Sequence, residues 1–194
     1  MMIKKQNYLK HAIVLFLLLL LMQPERAWAA YENIEFSSLT NHDGLTNSQV
    51  GAILKDTRGY IWFGTQSGLC RFDGFRMKTF YYSNTDDKSL PNNSVDELQQ
   101  DYDGNIWVHT SVGYSIYKYD EEQFDRKPEE LLKDIHVQGP PYKLLIDKDK
   151  NMWIAVYGQG LYYHNAKTRN TYLFKFTKKA QPGCLKEGNI SKIT

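Results

Sequence analysis

Cysteine is scarce in this chain. Two cysteines in 194 residues, Cys70 and Cys184, are too few for a disulfide framework, and they lack the clustered Cys/His spacing of a zinc site. An excess of one charge is missing as well. There are 24 basic and 22 acidic side chains, a formal net charge of +2, and no basic block, so no nucleic-acid contact is expected. Low-complexity tracts are absent and 42% of residues are hydrophobic, which excludes a disordered chain and leaves one domain with a real core. Long apolar runs are confined to one place, residues 12–22, so no other segment has the composition to span a membrane.

That single run belongs to an export signal. Lys4, Lys5 and Lys10 form a basic start, Leu17 to Leu21 lie inside the apolar run, and Ala27-Trp28-Ala29 supplies a small-x-small cleavage site. The run is short for a spanning helix, so a cleaved signal over residues 1–29 is favoured over an uncleaved anchor. Cleavage after Ala29 removes Lys4, Lys5, Lys10 and Arg26 against one acid, Glu25, so the slight basicity belongs to the signal.

What is abundant is aromatic: 14 Tyr, 9 Phe and 4 Trp, set among 13 Gly. The tryptophans reveal a repeat. Trp62, Trp107 and Trp153 are 45 and 46 residues apart, and an aspartate precedes each by six positions: Asp56, Asp101 and Asp147. A glycine follows each by six or seven positions: Gly68, Gly113 and Gly160. Each copy reads as four short strands, because aromatic and β-branched residues alternate between Gly, Asn and Asp turns. The first strands hold Val50 and Ile53, Val95 and Leu98, Leu144 and Ile146. The second cover 60–65, 105–110 and 151–156; the third cover 69–73, 114–120 and 161–165; the fourth cover 76–82, 123–126 and 171–176. A single helical turn is expected within 131–137.

Four strands in about 40–45 residues around a repeated Trp is the pattern of a β-propeller blade. One small sheet cannot bury both faces, whereas sheets stacked around an axis cover one another. The expected fold is therefore all-β, an incomplete ring of three four-stranded antiparallel blades and the start of a fourth. The expected organisation is a signal peptide over 1–29, an N-terminal segment over 30–43 with a ring-closing strand at 31–37, blade 1 over 44–87, blade 2 over 88–137, blade 3 over 138–182 and the start of blade 4 over 183–194. Ile190 and Ile193 repeat the spacing of a first strand, so the chain reads as a fragment of a longer propeller.

The run Gly44-Leu45-Thr46-Asn47-Ser48-Gln49-Val50, followed by Asp56-Thr57-Arg58-Gly59-Tyr60-Ile61-Trp62-Phe63-Gly64-Thr65, Gly68-Leu69-Cys70-Arg71-Phe72-Asp73-Gly74 and Phe80, resembles the two-component regulator propeller repeat. The second copy resembles it through Leu90-Pro91-Asn92-Asn93-Ser94-Val95 and Asp103-Gly104-Asn105-Ile106-Trp107-Val108, and departs at His109 and at Gly113-Tyr114-Ser115. The third lacks the Asn-Ser-Val start and has Lys150 in place of the turn glycine. The resemblance implies the N-terminal, periplasmic sensor part of a hybrid histidine kinase. In that family two propellers lead to a small β-sandwich, a membrane helix and a kinase core, often with a receiver and a DNA-binding domain. It further implies a non-catalytic role, an oligosaccharide ligand drawn from glycan breakdown, a kinase downstream in the same polypeptide, a homodimer at full length and no cofactor. The alternatives are an exported propeller enzyme, a lyase or quinone-dependent dehydrogenase, and a stand-alone carbohydrate-binding propeller.

Other chemistry finds little support. Asp101-Tyr102-Asp103-Gly104-Asn105 and Asp147-Lys148-Asp149-Lys150-Asn151 imitate the start of a calcium loop. The twelfth positions are Val112 and Gly158, where a bidentate Glu is needed, so tight Asx turns are the better reading. Gly158-Gln159-Gly160 lacks the strand–loop–helix setting of a phosphate-binding loop. His109 breaks the repeat pattern and is a candidate to face a ligand, although a strand-edge structural histidine is the safer reading. Tyr81-Tyr82 and Tyr162-Tyr163 are candidate sugar-stacking faces, although packing accounts for most tyrosines in such a chain.

Overall fold

The computed structural model describes residues 36–177 and 185–186. The export signal, residues 31–35 of the expected closing strand, Cys184, and Ile190 and Ile193 lie outside the described residues. Phe36 and Ser37 carry no strand.

The described chain is a succession of antiparallel meanders. The first sheet runs β1 (Val50–Lys55), β2 (Ile61–Thr65), β3 (Gly68–Phe72) and β4 (Met77–Phe80). The second runs β5 (Val95–Gln100), β6 (Ile106–Thr110), β7 (Gly113–Lys118) and β8 (Gln123–Asp125). The third runs β9 (Pro141–Ile146), β10 (Met152–Val156), β11 (Gly160–His164) and β12 (Thr171–Thr177), with a two-residue strand β13 (Leu185–Lys186) added in parallel beside β12. The fold is that of propeller blades. The α-helix among the described residues, α1 (Pro128–Asp134), starts earlier than the turn expected at 131–137. Pro128 occupies its first turn, where a missing N–H costs nothing, and the helix stops before Val137, which is buried against the third sheet instead.

Period-two alternation decides which face meets which neighbour. Ile106 and Val108 on β6 pack with Trp62, Leu69 and Phe80 of the first sheet. Trp107, between them in sequence, points the other way and packs with Leu144, Met152 and Ile154 of the third. The other face of the first sheet is covered by Leu39 and Leu45 of the N-terminal segment, packed over Phe63 and Cys70. Cys70 is a free, buried thiol within 3.3 Å of the backbone nitrogen and the hydroxyl of Thr46. Among the described residues, nothing seals the outer face of Trp153 completely; it is half-buried and stacks on Tyr163.

Backbone approach is closest between the first two sheets. A Cβ on Gly64 would lie 2.6 Å from Cγ1 of the buried Val95 and 3.3 Å from the Cβ of Ala52. Gly64→Ala is therefore expected to lower stability by about 1–3 kcal/mol through overpacking. Denaturant unfolding measures this, and adding Val95→Ala in the same chain should recover part of the loss.

Candidate functional site

The predicted repeat residues converge on one local structure. In the first copy, Oδ1 of Asp56 accepts the backbone N–H groups of Arg58 (2.9 Å) and Tyr60 (3.0 Å), and Oδ2 accepts the indole N–H of Trp62 at 2.7 Å. In the second, Asp101 takes Asp103 (3.0 Å) and Asn105 (2.9 Å) on Oδ1, and the Asn105 amide (3.0 Å) and the Trp107 indole (2.9 Å) on Oδ2. Asp147 accepts the backbone of Asp149 and Asn151 at 2.9 Å each, and the Asn151 amide at 3.0 Å. Burial alone would raise the Asp147 carboxyl. The hydrogen bonds from Asn151, Asp149 and Trp153 outweigh it and hold this group below the ordinary carboxylate range. Each aspartate thus closes the turn between the first two strands of its sheet and anchors the tryptophan of the second. Their oxygens are occupied by N–H donors, which is the chemistry of an Asx turn.

The copies differ where the neighbouring sheet takes part. Tyr60 stands where the later copies have an asparagine, and the hydroxyl of Tyr119, from the second sheet, fills the vacant place on Asp56. Burial first, and then the bond to Asp56, raises the Tyr119 hydroxyl well above the ordinary phenol range. In the third turn Lys150 adopts φ 66°, where the first two copies use Gly59 and Gly104. A side chain there is strained, and its Nζ donates to the carbonyl of Gln100 in the second sheet at 3.0 Å. Gly68, Gly113 and Gly160 open the third strands with φ of 137°, 118° and 139°. The need is most severe at Gly160, where a Cβ would fall 2.2 Å from the carbonyl oxygen of Phe174.

The opposite end of the sheets is built differently, and the Asp–Trp–Gly repeat does not mark it. The innermost strand of each sheet carries a β-bulge near its start. The ladder steps from Val50↔Thr65 to Ala52↔Gly64, from Val95↔Thr110 to Glu97↔His109, and from Pro141↔Val156 to Lys143↔Ala155. The extra residues are Gly51, Asp96 and Tyr142. A bulge re-aims the side chain it inserts. Gly51 has none, and its backbone lies against that of the second sheet: a Cβ there would meet the Val95 carbonyl at 3.2 Å. Asp96 Oδ1 meets Nδ1 of His109 at 2.5 Å. Tyr142 stacks on Tyr157 with ring centroids 4.1 Å apart and planes 27° apart, and Tyr157 is 70% exposed.

Between these two bulges lies a polar bridge. The His109 ring rests on Tyr114 at 4.5 Å. The Tyr114 hydroxyl donates to Glu97 at 2.8 Å and accepts the backbone N–H of Leu144 at 3.0 Å, while Lys143 pairs with Glu97. Burial, reinforced by Glu97, pushes the Tyr114 hydroxyl far above the ordinary phenol range, so it stays a donor. Farther along the same two strands, Gln99 donates to the Leu144 carbonyl (2.8 Å) and accepts from the Ile146 N–H (2.5 Å), continuing the ladder across the gap with a side-chain amide.

The aromatic faces expected from sequence separate. Tyr162 is buried, Tyr163 packs between Trp153 and Tyr172, and Tyr81 and Tyr82 are exposed on the connection between the first two sheets. A stacked pair at the bulged end joins residues 15 apart in sequence, Tyr142 and Tyr157, and the bulge signals it; a second, Tyr163 and the exposed Tyr172, lies on β11 and β12. No group of three or more metal-ligating side chains occurs among the described residues.

The model of the two component regulator propeller family matches residues 44–67 and 89–111, the stretches that contain the first two Asp–Trp turns. Both stretches are similar to that family's repeat. Over 61 residues, 31% of its length, this propeller chain is 41% identical to a protein named histidine kinase P4 from Formosa agariphila. It also matches a crystal structure described as the extracellular domain of a hybrid two component system from B. thetaiotaomicron, at 24% identity and a TM-score of 0.51 over 72% of this chain. At that identity the match establishes the fold. The propeller chain spans only 4% of the first relative and 20% of the second.

Proposed function

We propose that this chain is part of an exported sensor propeller, with recognition at the bulged ends of the inner strands and no catalysis of its own. The observation that carries the reading is the repeated bulge, which displays Asp96 beside His109 and Tyr142 beside Tyr157 at the same end of neighbouring sheets. A stacked tyrosine face next to paired carboxylate and imidazole groups suits a sugar ring and its hydroxyls. The ligand class is then an oligosaccharide released by glycan breakdown, as the repeat family implies. The signal passes to a histidine kinase downstream in the same full-length polypeptide, which acts as a homodimer across the inner membrane. Residues 1–29 direct export to the periplasm. Blades occupy 44–87, 88–137 and 138–182; Leu185–Lys186 join the edge of the third sheet, and the rest of 183–194, where a fourth blade is expected to begin, lies outside the described residues. Among the described residues no helix is long and apolar enough to cross a membrane. Sensing works by differential affinity for two receptor states.

The test is calorimetric titration of the full-length receptor with a panel of oligosaccharides. One or more should bind, and Tyr157→Ala should weaken that binding at least tenfold while leaving the unfolding midpoint unchanged, since this ring is exposed. Absence of binding across the panel, or binding indifferent to Tyr157→Ala and Asp96→Ala, overturns the reading.

A further inference from the structure

The seam between the second and third sheets holds a histidine that the repeat does not require. His164 is the last residue of β11 and is fully buried. Its Nδ1 lies 2.8 Å from the Thr171 hydroxyl, and that hydroxyl donates its only proton to the carbonyl of Ile135 at 2.6 Å. The hydroxyl must then accept, so Nδ1 carries the imidazole proton. The other ring nitrogen, Nε2, is left as a bare lone pair, buried and without a hydrogen-bond partner.

The surroundings penalise a second proton. One neighbour is the ring of Tyr102 at 5.4 Å, from the Asp101 turn of the second sheet. The guanidinium of Arg169, from the turn after β11, lies 3.9 Å from the centroid of that same tyrosine ring, and Asp103 pairs with it at 3.1 Å. Thr171 and the Ile135 carbonyl close the Nδ1 side. The charged groups acting on the imidazole are therefore Arg169, which opposes protonation, and Asp103, which partly offsets it. Asp101, in the same turn, acts on Tyr102. Burial is the larger cause, and together with Arg169 it holds His164 below the ordinary histidine value of 6.5.

We propose that this seam is an acid-operated latch. A proton taken up at Nε2 becomes a buried donor with no acceptor, opposed by the charge of Arg169. It is accommodated by parting the 101–105 turn from the end of β11 and the turn that follows. The sign follows from linkage: the opened seam binds the proton more readily than the closed one, so closure is fully favoured above about pH 6.5 and weakens as pH falls below it. The slope approaches tenfold in the closed-to-open ratio per pH unit, and levels off below the closed-state value. A sensor outside the cytoplasmic membrane meets such pH changes directly. The latch itself does not depend on what the propeller binds.

Hydrogen exchange of the full chain between pH 7.5 and 5, corrected for intrinsic rates, tests it. Protection of residues 102–105 and 163–171 should fall as pH drops below about 6.5, by no more than about tenfold per pH unit and levelling off at lower pH, while β2 and β3 of the first sheet stay protected. His164→Asn keeps a donor toward Thr171 but cannot titrate, so its profile should be flat over the same range. Equal loss at the seam and in the first sheet, or the same slope in the variant, overturns the latch. Should the variant fail to fold, nitrogen chemical shifts of the wild-type ring decide the matter. An Nδ1–H tautomer titrating below 6.5 supports the latch. The other tautomer, or titration at or above 6.5, refutes it.

Discussion

Replacing Trp62 or Trp107 with alanine should cost about 3–5 kcal/mol each, a large fraction of the stability of a domain this size. Both indoles are essentially inaccessible. Trp62 packs on Phe80 of its own sheet at 5.9 Å and on Tyr117 of the next at 5.0 Å, and Arg71 reaches across to the Tyr117 hydroxyl at 2.9 Å. Burial raises that hydroxyl to about 12. Removing the indole therefore opens a cavity between sheets, where the two layers cannot collapse without losing register. Trp153→Ala in the same chain should cost clearly less, because its ring is only half-buried. Equilibrium unfolding in urea, followed by circular dichroism so that loss of a tryptophan does not remove the signal, measures all three. Equal costs at the three positions would show that the tryptophans act within their own turns rather than between sheets.

The second large effect is expected at Asp101. Asp101→Ala leaves the Trp107 indole N–H and two turn N–H groups without their acceptor in a buried place, a loss of about 2–4 kcal/mol. Asp101→Asn is informative because it keeps the shape. Its carbonyl oxygen can still serve the Asp103 and Asn105 backbone, but its NH₂ then faces the indole N–H and the Asn105 amide, which are donors on this geometry. The asparagine variant should lie between wild type and alanine. The fluorescence of Trp107, isolated in a chain whose other tryptophans are phenylalanine, should shift as its N–H partner is lost. A wild-type midpoint for Asp101→Asn would mean that the charge and second acceptor oxygen contribute nothing.

The strand pattern was legible because it is chain-local. Alternation and turn residues placed nearly every strand, with ends shifted by a residue or two: the fourth strand expected over 76–82 is observed at Met77–Phe80, and that expected over 123–126 at Gln123–Asp125. The shortening at the second site has a cause outside the strand. Arg126 leaves the ladder to donate to the carbonyls of Ser89, Asp86 and Leu90, pinning the connection between the first two sheets. The helix boundary was misjudged because the apolar residues of 131–137 mark what is buried, while Pro128 marks where a helix begins.

The candidate site was the least legible part. Asp96 and Tyr142 are unremarkable in sequence. They become conspicuous because each is the extra residue of a bulge, and a bulge is a property of two strands in register. His109 was noticed only as a departure from the repeat; its partner Asp96, 13 residues earlier, was not. The partner of each tryptophan was within reach, since aspartate precedes it at the same interval in every copy, but spacing alone does not say that a carboxylate accepts an indole proton.

The periodic placement of Asp, Trp and Gly was enough to dictate a turn, a strand and a second turn three times over, because those preferences are met within a few residues of backbone. It also dictated that the sheets must stack, because a strand with apolar residues on both faces cannot be satisfied by one sheet. Packing alone decided which tryptophans are sealed, that Tyr119 rather than an asparagine completes the first turn, and that His164 keeps a buried lone pair. Those outcomes depend on residues far apart in sequence meeting across an interface, 63 positions for Asp56 and Tyr119, where desolvation and geometry, rather than local propensity, set the energy.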